Sequence, residues 1–439
     1  MQVTSQFTLL YYQKTKSHKK AKNQMDRENQ ALEPRKSSSI GRLSRESSSS
    51  RRHSLQKNET FDENESVSEA GDIGDRALHS NRFSFDSFAN NEVVSIDEVA
   101  PSQGNKDELK EVHWLFEYVT CLVSLAVFGI LGVLVRYCLQ KLFGPDLVGA
   151  TSDHSYMYLD LPSNMVGSFL MGWLGVVFKP DISQISDQLA IGLTTGFLGS
   201  LTTFSAWSQK MLDLSIEGRW VFSLLGILLG LFLVAYSIIF GIETAKGFKW
   251  LLTKSDMRSL YGTKTCCHSS YISNVTFMVM LLVMLVLLWG LFGSLAGKEF
   301  ESGGNGPELF LACTVGPFGV WARWFMARFN GRGLGKKGVV KWMPFGTLAA
   351  NVLAACVMAA LATLKKAVNT KNCDTVASGI QFGLLGCLST VSTFIAEFNA
   401  MRESDYPWRA YAYATITFLT SFVLGTLIYS VPVWAKRYN

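Results

Sequence analysis

Two amide side chains and two glycine-interrupted polar runs lie in stretches apolar enough to cross a membrane. Asn164 and Asn351 each offer two N–H donors and one acceptor in mid-segment, where an unpartnered amide is costly. Such a group either bridges packed helices or faces a polar path. The small neighbours Gly167, Ser168, Gly172 and Gly175, and Ala354, Ala355 and Ala359, suit the first use. The runs GFLGSLTTFS (196–205) and GLLGCLSTVS (383–392) interrupt two further apolar stretches. Glycine disfavours continued helix, and Ser or Thr can rebond freed backbone groups. Each run therefore predicts a broken helix with exposed carbonyls and N–H groups, able to hold a cation and to contribute half-helix dipoles. A kink used only for packing is the plainer alternative.

Aromatic residues follow each break: Phe204 and Trp207 in one run, Val391 and Phe394 in the other. Spacing of three places each pair on one helical face. An electropositive ring edge can contact an anion, although core or lipid contact is the ordinary use of such rings. Arg136 and Arg323 end apolar segments and predict anchors that snorkel toward the interface. Glu397, with Arg402 nearby, predicts a surface ion pair.

These residues recur at one offset. Gly129, Gly132 and Arg136 return as Gly316, Gly319 and Arg323, Asn164 as Asn351, and the first polar run as the second, all 187 residues apart without a gap. An internal repeat defines architecture before any local reading. Two copies of one small membrane module form the usual background of a transport protein. Glu397 recurs as Lys210, which argues against a shared catalytic role.

The elements that position these residues are membrane-length apolar segments near 115–140, 160–178, 189–211, 219–242, 271–295, 308–328, 342–364, 379–401 and 408–432. The fifth has no counterpart in the repeat. One unpaired span turns the second module over, so the repeat is inverted. The expected fold is an all-α membrane protein: two inverted four-helix modules joined by a single inverting transmembrane helix, nine spans in all, with a broken third helix in each module. The expected domains are a tail (1–110), a first module (111–245), a basic loop with the linker helix (246–300) and a second module (301–439).

Lys246, Lys249, Lys254, Arg258 and Lys264 precede the fifth span, and Arg328, Arg332, Lys336, Lys337 and Lys341 follow the sixth. Placing both loops in the cytoplasm puts the N-terminus inside and the C-terminus outside. Lys365, Lys366 and Lys371 dissent and are outnumbered.

Hydrophobic residues make up 48% of the 439 and charged residues only 17%, yet the first 110 are polar. The formal charge of +6 sits in tail and loops, a pattern that suits anionic lipid better than nucleic acid. Basic, Ser-rich residues 35–54 predict disorder, and Ser44 and Ser54 follow arginines as a basic-directed kinase would require; a merely solvated tail is the alternative. The apolar part of Phe7 to Tyr12 is too short for a signal peptide, and the cysteines show neither metal spacing nor a disulfide framework. Neither a HExxH nor a phosphate-cradling GxxxxGK motif occurs, so an enzyme is not expected.

Taken together, G-x-x-G-x-x-x-R, a mid-helix Asn followed by Gly-Ser-Phe, and G-x-x-G-x-L-T-T-F-S resemble the signature of the small bacterial fluoride channels of the Fluc/CrcB type. Those are four-helix subunits paired as antiparallel dual-topology dimers. Two modules with an inverting span resemble a fused eukaryotic fluoride exporter, over about residues 115–433. The resemblance implies two fluoride pathways, each taking the first aromatic position of one module and the second of the other. It implies pore roles for Asn164, Asn351, Ser205 and Ser392, with Thr417 and Ser421 as hydroxyl candidates on the fourth and ninth spans. It also implies a structural sodium ion on the carbonyls of Gly199, Thr202, Gly386 and Ser389. Cross-pairing gives one site with Phe204 and Phe394 intact and one with Trp207 and Val391 altered, so one conducting pathway is expected. The implied setting is a plasma-membrane protein exporting fluoride passively, its module pair replacing a homodimer. A coupled inverted-repeat carrier and a non-transporting scaffold remain the alternatives.

Overall fold

The computed structural model describes residues 104–152, 155–254, 268–300, 305–334 and 338–436. Most of the tail, with Ser44 and Ser54, lies outside the described residues, as do Cys266 and Cys267. The described cysteines are free thiols, and Cys121, Cys313 and Cys387 are buried among apolar side chains.

Among the described residues the membrane body is all-helical. Its spans are α1 (Gly104–Phe143), α2 (Leu161–Val177), α3 (Asp187–Ile216), α4 (Trp220–Lys254), α5 (His268–Glu299), α6 (Asn305–Ala327), α7 (Phe345–Val368), α8 (Lys371–Glu403) and α9 (Trp408–Lys436). Eight are long and apolar enough to cross a membrane alone, and α2 makes the ninth together with the short helix Lys179–Ile185, bent from it by 65°. The bend follows from Pro180, which lacks an N–H and closes off the preceding helix, after a π-helical turn over Met171–Val177. Lys249 on α4 reaches Asp181 in the short helix at 2.6 Å, which ties these two ends to one side of the bundle.

α1 begins at Gly104, so its first turns are polar and the apolar crossing starts near Leu115. α5 lies at the periphery: only 17% of its apolar window is buried, and Val283, Val286, Leu287 and Leu291 point outward. Its buried positions Leu281, Leu285 and Phe292 pack into the cluster built from α1 and α6. Four spans, an even number, lie between the equivalent helices α1 and α6, so those two helices cross in opposite directions and the two modules run in opposite senses.

The glycine pairs in α1 and α6 explain how each module grips its broken helix. A Cβ on Gly132 would meet the Phe197 carbonyl and the Leu201 amide; one on Gly319 would meet the equivalent Leu384 carbonyl and Leu388 amide. Only glycine allows backbone to lie on backbone there.

Candidate functional site

Both broken helices loosen before they break. α3 passes through a π-helical stretch at Gly192–Leu198, and α8 through one at Gln381–Leu385. α3 then becomes extended at Thr202 and Thr203 and restarts at Phe204. α8 becomes extended at Ser389 and restarts at Ser392.

The two breaks meet and cap each other. Thr202 Oγ1 accepts from the amides of Val391 (3.2 Å) and Ser392 (3.0 Å). At the repeat-equivalent position, Ser389 Oγ accepts from the amides of Phe204 (3.2 Å) and Ser205 (3.1 Å). Each hydroxyl thus serves as N-cap for the half-helix of the other module. The hydroxyls of Ser205 and Ser392 complete the exchange by donating to Leu385 O (3.3 Å) and Leu198 O (3.1 Å).

The asparagines hold the same breaks from behind. Asn164 accepts from Thr203 N at 2.8 Å and donates to Thr203 O at 3.1 Å. Asn351 does the same to Thr390, at 2.8 and 3.1 Å. Each amide therefore completes the hydrogen bonding of one break residue, and the bridging use expected of a buried Asn is present in both copies. The copies differ in one contact: Asn164 also donates to the Tyr158 hydroxyl at 3.1 Å. The position equivalent to Tyr158 is Phe345, which has no hydroxyl.

The aromatic residues form one buried cluster. The Phe204 and Phe394 rings lie 6.1 Å apart and share Phe418 of α9, at 5.0 and 6.1 Å. Tyr413 packs on Phe394 at 5.1 Å. Trp207 joins the same cluster, 4.8 Å from Phe418 and stacked on Tyr158 at 5.5 Å. Val391 is fully buried beside them.

α9 adds hydroxyls. Thr417 is buried and donates back to Tyr413 O at 2.8 Å, while the buried hydroxyls of Ser421, Thr426 and Ser430 have no partner. The π-helical turn Thr426–Ser430 inserts one extra residue into this helix, so a 421-to-426 step of five continues a row begun by the 417-to-421 step of four.

Two expectations are corrected. Arg136 and Arg323 do not snorkel: they are 1% and 5% exposed and reach across the module boundary. Arg323 Nη2 donates to Thr195 O at 2.5 Å and Nη1 to Gly199 O at 2.8 Å and Ser389 O at 3.2 Å, with Cys387 O also accepting. Arg136 donates to Phe382 O, the repeat equivalent of Thr195 O, and lies 4.3 Å from the Phe382 ring centroid. Carbonyls left bare by the π-helical and broken segments draw the guanidinium groups inward, because a buried carbonyl without a donor is costly. Glu397 is not a surface partner of Arg402 either. It is fully buried, accepting from Thr347 Oγ1 at 2.6 Å and from the Tyr413 hydroxyl at 2.7 Å, while Arg402 turns to Glu403 and Asn399.

The guanidinium also bears on the expected sodium ion. Carbonyls of Gly199 and Ser389, one from each break, suit a hard cation in type. Both already converge on Arg323 Nη1, and Gly386 abuts the Arg136 guanidinium. As arranged, two of the four carbonyls named for that ion already serve a fixed cation.

A family model described as CrcB-like protein, Camphor Resistance (CrcB), matches residues 123–242 and again 310–429, at the same offset of 187 residues and over more than half of the chain. The chain belongs to the CrcB family. It carries the CrcB domain twice in one polypeptide, and as a family member it is a membrane transport protein rather than an enzyme. A "Fluoride-specific ion channel FluC" of Geobacter metallireducens is 35% identical over 125 residues, 96% of that protein and 28% of this chain. One from Geotalea uraniireducens is 34% identical over 134 residues, 91% of its length and 30% of this chain. "Fluoride-specific ion channel FluC 2" of Listeria monocytogenes is 38% identical over 98 residues, 68% of its length and 22% of this chain. Each of these CrcB relatives corresponds to a single module. No solved structure matches the chain.

Sequence reasoning passed over Tyr158, Tyr413, Phe418, Thr426 and Ser430. The hydroxyl row was open to discovery from spacing, had the extra residue of the π turn been allowed for. Tyr158 sits in a loop, and no periodicity marks it.

Proposed function

We propose that this chain is a passive, fluoride-selective channel that exports the anion from the cytoplasm through one pathway at the module interface. The observation that carries the reading is the Phe204/Phe394 pair held on Phe418 of α9, the helix that also carries the unpartnered buried hydroxyls of Ser421, Thr426 and Ser430. The first module has no such row, since Thr417, Ser421 and Thr426 correspond to Gly230, Val234 and Ile239 on α4. Hydroxyls and ring edges replace the water around a small anion step by step, without a fixed cation to trap it. The buried arginines are engaged with backbone carbonyls rather than offered to a passing ion.

Fluoride enters cells as neutral HF and is held as the anion at neutral pH. An inside-negative potential drives that anion outward by roughly 2.3 kcal/mol per 100 mV, so a pore suffices. The basic residues near the ends of α4 and α6 support a cytoplasmic N-terminus and an external C-terminus in the plasma membrane. The two modules take the place of a homodimer.

Fluoride efflux from proteoliposomes, with chloride as control, tests the reading. Phe394→Ala should reduce efflux far more than Trp207→Ala, and equal losses would remove the one-pathway claim. Buried Glu397, linked through Tyr413 to Phe394, favours a second reading in which fluoride exchanges with protons. Fluoride accumulation driven by a pH gradient alone would select it.

A further inference from the structure

The repeat allows the two halves of the interface to be compared position by position, and three positions change together. The second module has Phe345, Phe394 and Thr417; the first has Tyr158, Trp207 and Gly230. Trp207 touches both of the others. The Trp207 indole stacks on the Tyr158 ring at 5.5 Å and 13°, and both side chains are at most 1% exposed. The indole also fills the space above Gly230, where even a Cβ would come within 2.9 Å of Trp207 Cε2. The larger ring and the missing side chain are complementary.

The polar groups follow the same pattern. Both asparagines spend one amide hydrogen on a break carbonyl, but only Asn164 also donates to a tyrosine hydroxyl, that of Tyr158 at 3.1 Å; the repeat position of Tyr158 is Phe345, which has no hydroxyl. Trp207 Nε1 has no partner, so packing and not hydrogen bonding fixes the indole. Tyr158 also lines a cavity of about 510 Å³ shared with Asp146, Asp160, Asp213 and Glu308 against Lys141 and Lys210, a surround that disfavours an anion.

We propose that Tyr158 and Trp207 form a built plug, seated on Gly230, that seals the second anion pathway and occupies the Asn164 donor that would otherwise face it. Decay without selection would have left a cavity or an orphaned amide; this arrangement fills the space and pairs the donor. The plug limits the chain to one route and leaves Asn164 as a clamp on Thr203. The proposal rests on the one-pathway reading above.

The test installs the second module's residues at 158, 207 and 230 and the first module's Phe at Val391. In a Phe394→Ala background, Tyr158→Phe, Trp207→Phe, Gly230→Thr and Val391→Phe are combined, and fluoride efflux from proteoliposomes is measured with chloride as control. Efflux should rise about tenfold over Phe394→Ala alone, with chloride still excluded. A milder variant, Tyr158→Phe with Trp207→Phe in the same background, removes one ring and one hydroxyl and should give a smaller rise. Monodisperse protein of either design with efflux unchanged from Phe394→Ala overturns the plug. Wild-type efflux in Phe394→Ala alone would instead overturn the one-pathway reading, so the two failures are distinguishable.

Discussion

Arg323 of α6 donates from Nη1 to the carbonyl of Gly199 in α3 at 2.8 Å, joining the sixth span to the broken helix of the opposite module. The same guanidinium serves Thr195 and Ser389, so one side chain satisfies backbone of both breaks. Arg136, its repeat partner, donates to Phe382 O and lies against that residue's ring. The pseudo-symmetric pair is therefore unequal in what it holds.

That inequality predicts unequal costs. Arg323→Gln strands several buried carbonyls, each worth about 1–3 kcal/mol, and should lower the melting temperature in detergent more than Arg136→Gln does. Arg323→Lys should recover only part of the loss, since an ammonium lacks the planar fork. Because the guanidinium holds the crossing point, replacing sodium by potassium throughout purification should leave both melting and efflux unchanged. A sodium-dependent melting temperature would contradict this geometry.

The asparagines separate in a second experiment. Both amides bind a break residue through N–H and C=O, so Asn164→Ala and Asn351→Ala should each destabilise by about 1–3 kcal/mol. Efflux should distinguish them. Asn351→Ala should depress it more per degree of lost melting temperature, because Asn164 is saturated by Tyr158. Parallel losses in stability and flux for both would leave the pair purely structural.

Glycine substitution probes the module grip. Gly132→Ala and Gly319→Ala drive a methyl into backbone and should sharply reduce the yield of monodisperse protein, whereas Gly290→Ala on α5 meets nothing within 4 Å and should be silent.

How much of this was legible in the sequence depends on what each feature requires. The spans and the 187-residue repeat are one-dimensional, and hydropathy with a fixed offset reveals them. The breaks at Thr202 and Ser389 follow from local Gly, Ser and Thr chemistry. Their use does not, because capping the other module's half-helix depends on which backbone lies opposite. The burial of Glu397 escapes the sequence for the same reason: its partners, Thr347 and Tyr413, come from two other spans. Arg136 and Arg323 resemble helix-end anchors in sequence, and only the crossing of the modules supplies the carbonyls that draw them inward.

Ser421 separates a conducting role from a packing one. Its buried hydroxyl has no partner, whereas the Thr417 hydroxyl is tied to Tyr413 O. Removing an unsatisfied buried hydroxyl costs a fold nothing and can stabilise it, so Ser421→Ala should hold or raise the melting temperature. If that hydroxyl replaces water around the ion, the same variant should cut fluoride efflux severalfold. Thr417→Val should lose flux and stability together. Flux lost without stability marks Ser421 as part of the path, and unchanged flux would move the path off α9.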